Sequence, residues 1–415
     1  MNDPGKASVQ VSPQPALKRS LGLGLISLYG LGNILGAGIY VLVGKVVGTA
    51  GVHAPLAFVI AAIVAALSAF TYGELAARYP VSAGEAVYVD AAFGVAALSL
   101  TVGLLIALAG MVSAATLVRG FVGYLHVFIQ APGFLTIVLL VLSLAAVAAW
   151  GIGESARVAA VFTLIEIGGL LLIVYVARES FGALPGQAST ILIPPSAAAW
   201  QGTMLGAFLA FYAFIGFEDM VNVAEEVEHP ERNLPLGILI ALVISTALYF
   251  VVVLVAQLSV RAEALARSDA PLALVYATMT GGSPVVISAI GLFAVVNGAL
   301  IQLIMATRVL YGMGARRWLP LYFSKVNPVT RTPLAATVVV SLIILVLALW
   351  VPLVRLAGAT SALILVIFVM VSLALIRLKL RQPDPPGIKT IPMWVPTVGA
   401  LSSALLLAFQ ARNLW

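Results

Sequence analysis

Long apolar stretches, separated by short polar connections, occupy almost the whole chain. A helix needs about 20 apolar residues to cross the ~30 Å hydrocarbon core of a membrane. Stretches of that length recur throughout the sequence and predict about eleven membrane-spanning helices. Their boundaries are residues 21–47, 54–76, 94–125, 134–150, 155–177, 200–224, 235–258, 284–312, 334–350, 353–376 and 392–411. We therefore predict an all-α integral membrane protein.

Glycines interrupt two of these stretches, the first and the sixth. Gly36-Ala37-Gly38 lies inside the first, and Phe214-Ile215-Gly216-Phe217-Glu218 lies inside the sixth. Unwound backbone survives within a bilayer only where it is buried in protein or lines a cavity. Breaks at corresponding places in two halves of a membrane chain are the best sequence indication of a transporter's substrate site. We expect both segments to be broken helices that line one site.

The two broken helices also divide the chain into halves. Each opens a group of five predicted spans, over residues 21–177 and 200–376. Because five is an odd number, the second group inserts upside down relative to the first, which predicts an inverted five-plus-five repeat. The last span, 392–411, lies outside the repeat, so residues 21–415 form a single transmembrane domain. Residues 1–20 are polar and contain prolines, and we expect a disordered cytoplasmic tail there.

Composition and charge agree with a membrane protein and set its orientation. Hydrophobic residues make up 62% of the chain and charged residues 9%, whereas charged residues make up about a quarter of soluble domains. With the N-terminus in the cytoplasm, 15 of the 22 Lys and Arg residues fall on the inner side and six on the outer side. This bias predicts that orientation, in a plasma or bacterial inner membrane. The net charge of +6 then needs no nucleic-acid partner.

Nothing in the sequence indicates an enzyme, a metal centre or a cofactor. The chain has no cysteine, its three histidines lie at span ends or in loops, and it lacks the motifs of intramembrane and zinc-dependent enzymes. A channel would need a continuous polar stripe or repeated filter segments. Neither is evident, so an intramembrane enzyme and a channel are kept only as alternatives from other classes.

The backbone at the two breaks suits the charged ends of an amino acid. The half-helix that starts near Ile39 presents free N–H groups and a positive dipole end, which favour a carboxylate. Carbonyl groups at the end of the helix before Gly216 favour an ammonium group, and the two phenylalanines there cover an apolar side chain or act as gates. Helix packing through Gly32 and Gly36 is the alternative explanation of the first glycines. The predicted substrate-binding residues are Gly36, Ala37, Gly38, Ile39, Ala213, Phe214, Ile215, Gly216 and Phe217.

Ionisable residues inside predicted spans are costly and usually face a cavity or a partner. Glu166 lies in the middle of the fifth span and is the candidate site for a coupling proton or cation, with Arg119 as a candidate partner. A structural hydrogen bond is an equal alternative for Glu166. Glu218 and Asp219 either face the cavity or cap the second half-helix. Further polar candidates for the site are Thr116, Asn297 and Gln302.

Taken together, these residues resemble the amino acid, polyamine and organocation superfamily of secondary transporters, especially its cationic-amino-acid-transporter-like permeases. The resemblance covers nearly the whole chain and is strongest at residues 36–40 and at 211–218, which run into the acidic, proline-ended loop 224–235. It implies a LeuT-like fold and an amino acid or amine substrate, with the carboxylate on the first break and the amine on the second.

The same resemblance implies alternating access, in which spans one, two, six and seven rock against spans three, four, eight and nine. Several relatives have a fifth-span lysine, linked to proton coupling, where this chain has Glu166. The coupling ion is therefore not inherited from the family. Exchange without ion coupling is an alternative mechanism.

Overall fold

The structure is a computed structural model that describes residues 19–36, 38–81, 84–150 and 156–413, without the side chains of residues 156–158. Almost all of the predicted cytoplasmic tail lies outside the described residues, and so does Ala37 of the first break. Helices account for the regular structure of the described part, in which the pairing of Leu21 with Val227 is an isolated β-bridge.

The α-helices of the described part are α1 (Leu23–Leu35), α2 (Gly38–Ala50), α3 (Ala54–Arg78), α4 (Gly84–Phe93), α5 (Ala96–Leu125), α6 (Gly133–Trp150), α7 (Ala156–Val176), α8 (Leu184–Leu192), α9 (Ala197–Phe211), α10 (Pro230–Ser259), α11 (Ala262–Arg267), α12 (Pro271–Thr280), α13 (Val285–Ala315), α14 (Leu334–Trp350), α15 (Leu353–Arg381) and α16 (Trp394–Arg412). Short 3₁₀ helices lie at Gly51–His53, Arg178–Ala183, Tyr212–Phe214, Glu218–Glu226 and Leu321–Ser324.

Nine helical segments of the described residues are long and apolar enough to cross a membrane. One of them, Gly38–Arg78, runs for 41 residues through α2 and α3 and so joins predicted spans one and two. The predicted ninth span is α14, which at 17 residues is slightly shorter than these nine. The all-helical, multi-pass membrane class is confirmed, whereas the count of eleven spans and the inverted repeat stay predictions.

The helices pack in two groups that meet at the breaks. In one group, α1 and α3 contact α10, and α9 packs on α2 and α3. In the other group, α5 contacts α13 and α14, and α6 packs on α14. The first group holds predicted spans one, two, six and seven, and the second holds spans three, four, eight and nine. Movement of one group against the other stays a prediction.

Four short helices, α4, α8, α11 and α12, occupy connections that the hydropathy pattern left as loops. The sequence signal of a spanning helix is a run of about 20 apolar residues. Helices of six to ten residues do not produce that signal. The most consequential of them is α4, because it folds back against α15 and α5 and buries a carboxyl group close to the second break.

A buried ionic network joins the end of α3 to α15. The Glu74 carboxylate accepts hydrogen bonds from Lys379 Nζ at 2.9 Å to each oxygen, from Arg78 Nε at 2.9 Å and Nη2 at 2.6 Å, and from the Ile391 N–H at 2.7 Å. Glu74 is 3% exposed and Lys379 is 6% exposed. Two cations and a backbone N–H therefore supply the hydrogen bonds of one carboxylate that is buried away from water.

Candidate functional site

The first break separates α1 from α2, as predicted. Gly36 ends α1 with φ −35° and ψ −159°, and its N–H donates to the Gly32 carbonyl at 2.9 Å. The α2 helix begins at Gly38, and both Gly38 and Ile39 are buried. The first N–H groups of a helix have no partner within that helix. The positive end of α2 therefore lies inside the protein, where it favours an anionic group.

The second break also interrupts its helix, as predicted. After α9 the chain forms a 3₁₀ turn over Tyr212–Phe214, reverses at Gly216 with φ +131°, and continues as the 3₁₀ helix Glu218–Glu226. The side chain of Glu218 accepts the Gly216 N–H at 2.8 Å. Glu218 thus caps the unwound backbone while it is itself 5% exposed. Of its two predicted roles, Glu218 has the position beside a cavity, whereas its hydrogen bond goes to Gly216, which precedes the helix Glu218–Glu226, and not to the start of that helix.

The two breaks touch each other. A Cβ atom placed on Gly216 would lie 2.6 Å from the backbone of Asn33, and one on Gly38 would lie 2.8 Å from Cα of Ala213. The Tyr249 hydroxyl of α10 donates to the carbonyl oxygens of Ile34 at 2.6 Å and Ala213 at 3.0 Å. A single side chain therefore links the backbone of both broken helices, and glycine is required where they come closest.

A small cavity of about 30 Å³ lies between the breaks. It has room for one or two water molecules, so an amino acid can enter only if the cavity widens. The residues that line it are Asn33, Ile34, Gly36, Gly38, Ser113, Leu117, Tyr212, Ile215, Gly298, Ile301 and Gln302. Four predicted site residues, Gly36, Gly38, Ile215 and Gln302, are among them.

Sequence reasoning missed two polar side chains of the cavity, Ser113 from the predicted third span and Tyr212 from the predicted sixth. Ser113 Oγ and the Tyr212 hydroxyl lie 3.1 Å apart and share a hydrogen bond. The predicted Thr116 does not line the cavity; it donates to the Val112 carbonyl of its own helix at 2.9 Å and interacts with the Tyr212 side chain. Asn297 is 5% exposed but does not line the cavity. Its neighbour Gly298 lines the cavity.

The two phenylalanines of the second break face away from the cavity. The Phe214 ring packs 5.2 Å from the Tyr249 ring, and the Phe217 ring packs 5.3 Å from Phe368 and 5.7 Å from Tyr72. Both side chains are buried. In this conformation they hold the break in place through aromatic packing and do not cover the cavity.

Three buried carboxyl groups, Glu85, Glu218 and Asp219, line a second small cavity beside the first. Gln302 lines both cavities and donates to Asp219 at 3.1 Å. Glu85, which sequence reasoning missed, accepts the Tyr72 hydroxyl at 3.2 Å. Burial and the nearby Asp219 carboxyl raise the pKa of Glu85 to about 7, although hydrogen bonds partly oppose this rise.

Glu166 lies directly behind the first break. It is fully buried in α7, and its backbone carbonyl accepts the Tyr40 hydroxyl at 2.8 Å. Its carboxyl group interacts electrostatically with Tyr40 and Tyr249. One turn earlier, Thr163 Oγ1 donates to the Leu28 carbonyl at 3.1 Å. Residues around Glu166 therefore contact the first span on both sides of its break.

Arg119, the predicted partner of Glu166, has its hydrogen bonds elsewhere. Its Nε donates to the Ala348 carbonyl at 2.6 Å and its Nη2 donates to the Leu349 carbonyl at 3.0 Å. These carbonyls belong to the last turn of α14, so Arg119 caps the C-terminal end of that helix. The guanidinium lines a different cavity, some way along α2 from the breaks.

The known proteins that resemble this chain are permeases and transporters. A family model described as amino acid permease matches residues 23–412, which include both breaks. The branched-chain amino acid permease BcaP of Bacillus subtilis (strain 168) is 30% identical over 97% of this chain and 90% of its own length. Cationic amino acid transporter 2, vacuolar, of Arabidopsis thaliana is 32% identical over 89% of this chain and 61% of its own length. The methylthioribose transporter of Bacillus subtilis (strain 168) is 27% identical over 96% of this chain and 89% of its own length.

Proposed function

We propose that this chain, which belongs to the amino acid permease family, binds an amino acid or related amine between its two helix breaks and carries it by alternating access. Amino acid transport as such follows from the family, and the named relatives are permeases and transporters, not enzymes. The observation that most supports the finer proposal is the meeting of the two breaks around one cavity.

The lining of the cavity favours a zwitterion with a small or apolar side chain. All the described residues that line it are neutral, and several are aliphatic. The charged ends of the substrate would therefore be met by backbone: the carboxylate by the start of α2, and the ammonium group by carbonyls near Phe214 and Ile215. We expect branched-chain amino acids to bind better than lysine or arginine.

Counterflow in proteoliposomes tests transport and substrate together. Liposomes loaded with unlabelled leucine, isoleucine or valine should transiently accumulate the radiolabelled amino acid, because a carrier exchanges its substrate and a pore does not. The same amino acids should raise the melting temperature of the purified protein, since a ligand that binds only the folded state stabilises it. Downhill flux without counterflow would contradict the carrier and favour the channel.

Glu166 is the proposed binding site for the coupling proton or cation. It is buried in α7, and its neighbours contact α1 before the break and Tyr40 after it. A change in its charge would thus act on the helix that holds the substrate carboxylate. Entry of one positive charge with a zwitterion gains ~2.3 kcal/mol per 100 mV of membrane potential, which favours uptake into the cell.

A Glu166→Gln variant tests the coupling role, with Glu263→Gln on the exposed surface of α11 as the matched control. We expect Glu166→Gln to keep counterflow but to lose uptake driven by a pH or sodium gradient, whereas Glu263→Gln keeps both. Gradient-driven uptake that is unchanged in Glu166→Gln would remove the coupling role. Counterflow without any gradient dependence in the wild type would favour the exchanger.

A further inference from the structure

A larger cavity lies along α2 between Val41 and Lys45, separate from the small cavity between the breaks. It has a volume of about 410 Å³ and lies between α2, the end of α5, the start of α6 and the turn from α14 to α15. The predicted orientation puts it on the outer side of the membrane. Its titratable side chains are Lys45, Arg119, His126 and Asp269, so cationic groups outnumber the single acid.

Arg119 is the fixed cation of this cavity. Its bonds to the Ala348 and Leu349 carbonyls use Nε and Nη2. A guanidinium has five N–H donors in a rigid fork. The N–H groups on Nη1 donate to no other residue in the described part of the chain, where Arg119 also forms no ion pair within 4.0 Å. The guanidinium is thus held in position and keeps donors for an anion.

The acid in the cavity does not neutralise these cations. Asp269 lies 3.6 Å from Lys45, and its side chain is 77% exposed. This one carboxylate offsets one of the two cations, Lys45 and Arg119, so the cavity keeps an excess positive charge. Lys45 Nζ also donates to the carbonyls of Ala266 at 2.9 Å and Ser268 at 3.2 Å, which fixes it at the cavity edge. The His126 ring, whose Nε2 lies 3.0 Å from the Ala131 carbonyl oxygen, also lines the cavity.

Two aromatic side chains indicate where the cavity lies relative to the membrane. Phe134 in the first turn of α6 is 68% exposed, and Trp350 at the end of α14 is 71% exposed. Both line the cavity. Exposed aromatic residues at the ends of spanning helices are typical of the membrane–water interface. Arg and Lys side chains at that level can donate to the phosphate of a lipid head group.

We propose that this cavity binds the phosphate of an anionic lipid, with the donors of Arg119 and Lys45 on the phosphate oxygens and the acyl chains beside Phe134 and Trp350. The cations belong to α5 and α2, so one lipid would contact both helix groups at once. The alternative role for Arg119 is helix capping alone. Capping predicts that its replacement destabilises the protein equally in every lipid.

The full chain, purified in detergent, can be titrated with phosphatidylglycerol, phosphatidylcholine or inorganic phosphate, while native mass spectrometry counts tightly bound lipids. We expect one tight phosphatidylglycerol in the wild type. Its affinity should fall about tenfold or more in Arg119→Gln and in Lys45→Gln, because each variant removes a charged donor to the phosphate. Phosphatidylcholine should not compete, and the melting temperature should rise only with phosphatidylglycerol.

Two further variants separate lipid binding from folding. Gly133→Leu should reduce binding while it keeps every charge, because a Cβ at Gly133 meets only Val122 at 3.6 Å and its side chain would fill the cavity. Arg178→Gln removes an exposed cation at the same predicted face and should bind lipid as the wild type does. Equal affinity in wild type, Arg119→Gln and Lys45→Gln would overturn the proposal. Inorganic phosphate that stabilises as well as phosphatidylglycerol would overturn the lipid assignment and leave a soluble anion.

Discussion

Gly216 offers the sharpest test of the substrate site, and we expect Gly216→Ala to impair transport severely. Its φ of +131° is one that L residues rarely adopt, and such strain costs about 1–3 kcal/mol. A Cβ there would also lie 2.6 Å from the C and O atoms of Asn33. These are backbone atoms, so no side-chain rotation relieves the contact.

The size of the effect follows from that distance. Ordinary contact begins at 3.4 Å, so the two breaks must part by about 0.8 Å to admit the methyl group. A substrate that spans both breaks then loses hydrogen bonds from one of its charged ends, each worth about 1.5–3 kcal/mol. Affinity should fall about tenfold to a hundredfold, since 1.4 kcal/mol corresponds to a factor of ten.

Counterflow and substrate-induced thermal shift measure this loss against two companion variants. Gly24→Ala lies in α1, where an added Cβ meets nothing within 4 Å, and it should transport as the wild type does. In Gly38→Ala the added Cβ would lie 2.8 Å from Cα of Ala213, so this variant also forces the two breaks apart. Its affinity for substrate should fall as well. Wild-type affinity in both Gly216→Ala and Gly38→Ala would refute a site held between the breaks.

Three other substitutions test the surroundings of the site. The pKa of Glu85 is raised from 4.5 to about 7 in the folded protein, so the folded protein binds this proton more tightly than the unfolded chain does. The free energy of unfolding should therefore fall by about 3 kcal/mol as the pH rises from 4.5 to 7, at 1.36 kcal/mol per pKa unit. Glu85→Gln should flatten the decline of melting temperature with pH, and an unchanged profile would contradict this. Glu74→Gln leaves Lys379 and Arg78 buried beside a neutral amide and should cost about 3–5 kcal/mol, which a denaturation midpoint equal to wild type would exclude. Tyr249→Phe leaves two buried carbonyls without their donor, at about 1–3 kcal/mol, and should lower both melting temperature and substrate affinity; unchanged affinity would mean that the breaks are positioned without it.

The two breaks could be predicted from the sequence because their signal is local. Clustered glycines weaken a helix at the place where they occur, and the structure breaks the chain at Gly36 and around Gly216. The sequence also predicts that Glu218 either faces the cavity or caps the second half-helix; it lines a cavity and accepts the N–H of Gly216, which precedes that helix. The role of Glu166 stays a prediction.

The remaining lining residues could not be predicted because they depend on the rotation of helices that are apolar all round. Thr116 and Ser113 lie one turn apart in α5, yet only Ser113 faces the cavity. Asn297 and Gly298 are adjacent, and the rotation of about 100° per residue points them in different directions. Glu85 was missed for another reason: its burial comes from α4 folding against its neighbours, which no hydropathy pattern shows.

The helix α1 and the segment 216–226 contact each other at both ends, which constrains how the site opens. At the breaks, Gly216 packs directly against the backbone of Asn33 in α1. At the opposite end, the N–H of Leu21 donates to the Glu226 carbonyl at 3.0 Å, and the N–H of Glu228 donates to the Leu21 carbonyl at 3.0 Å. Two segments fixed at both ends move as one body more easily than they separate. We therefore expect α1 and the helix Glu218–Glu226 to move together on opening, so that the substrate loses its contacts with both breaks in a single step.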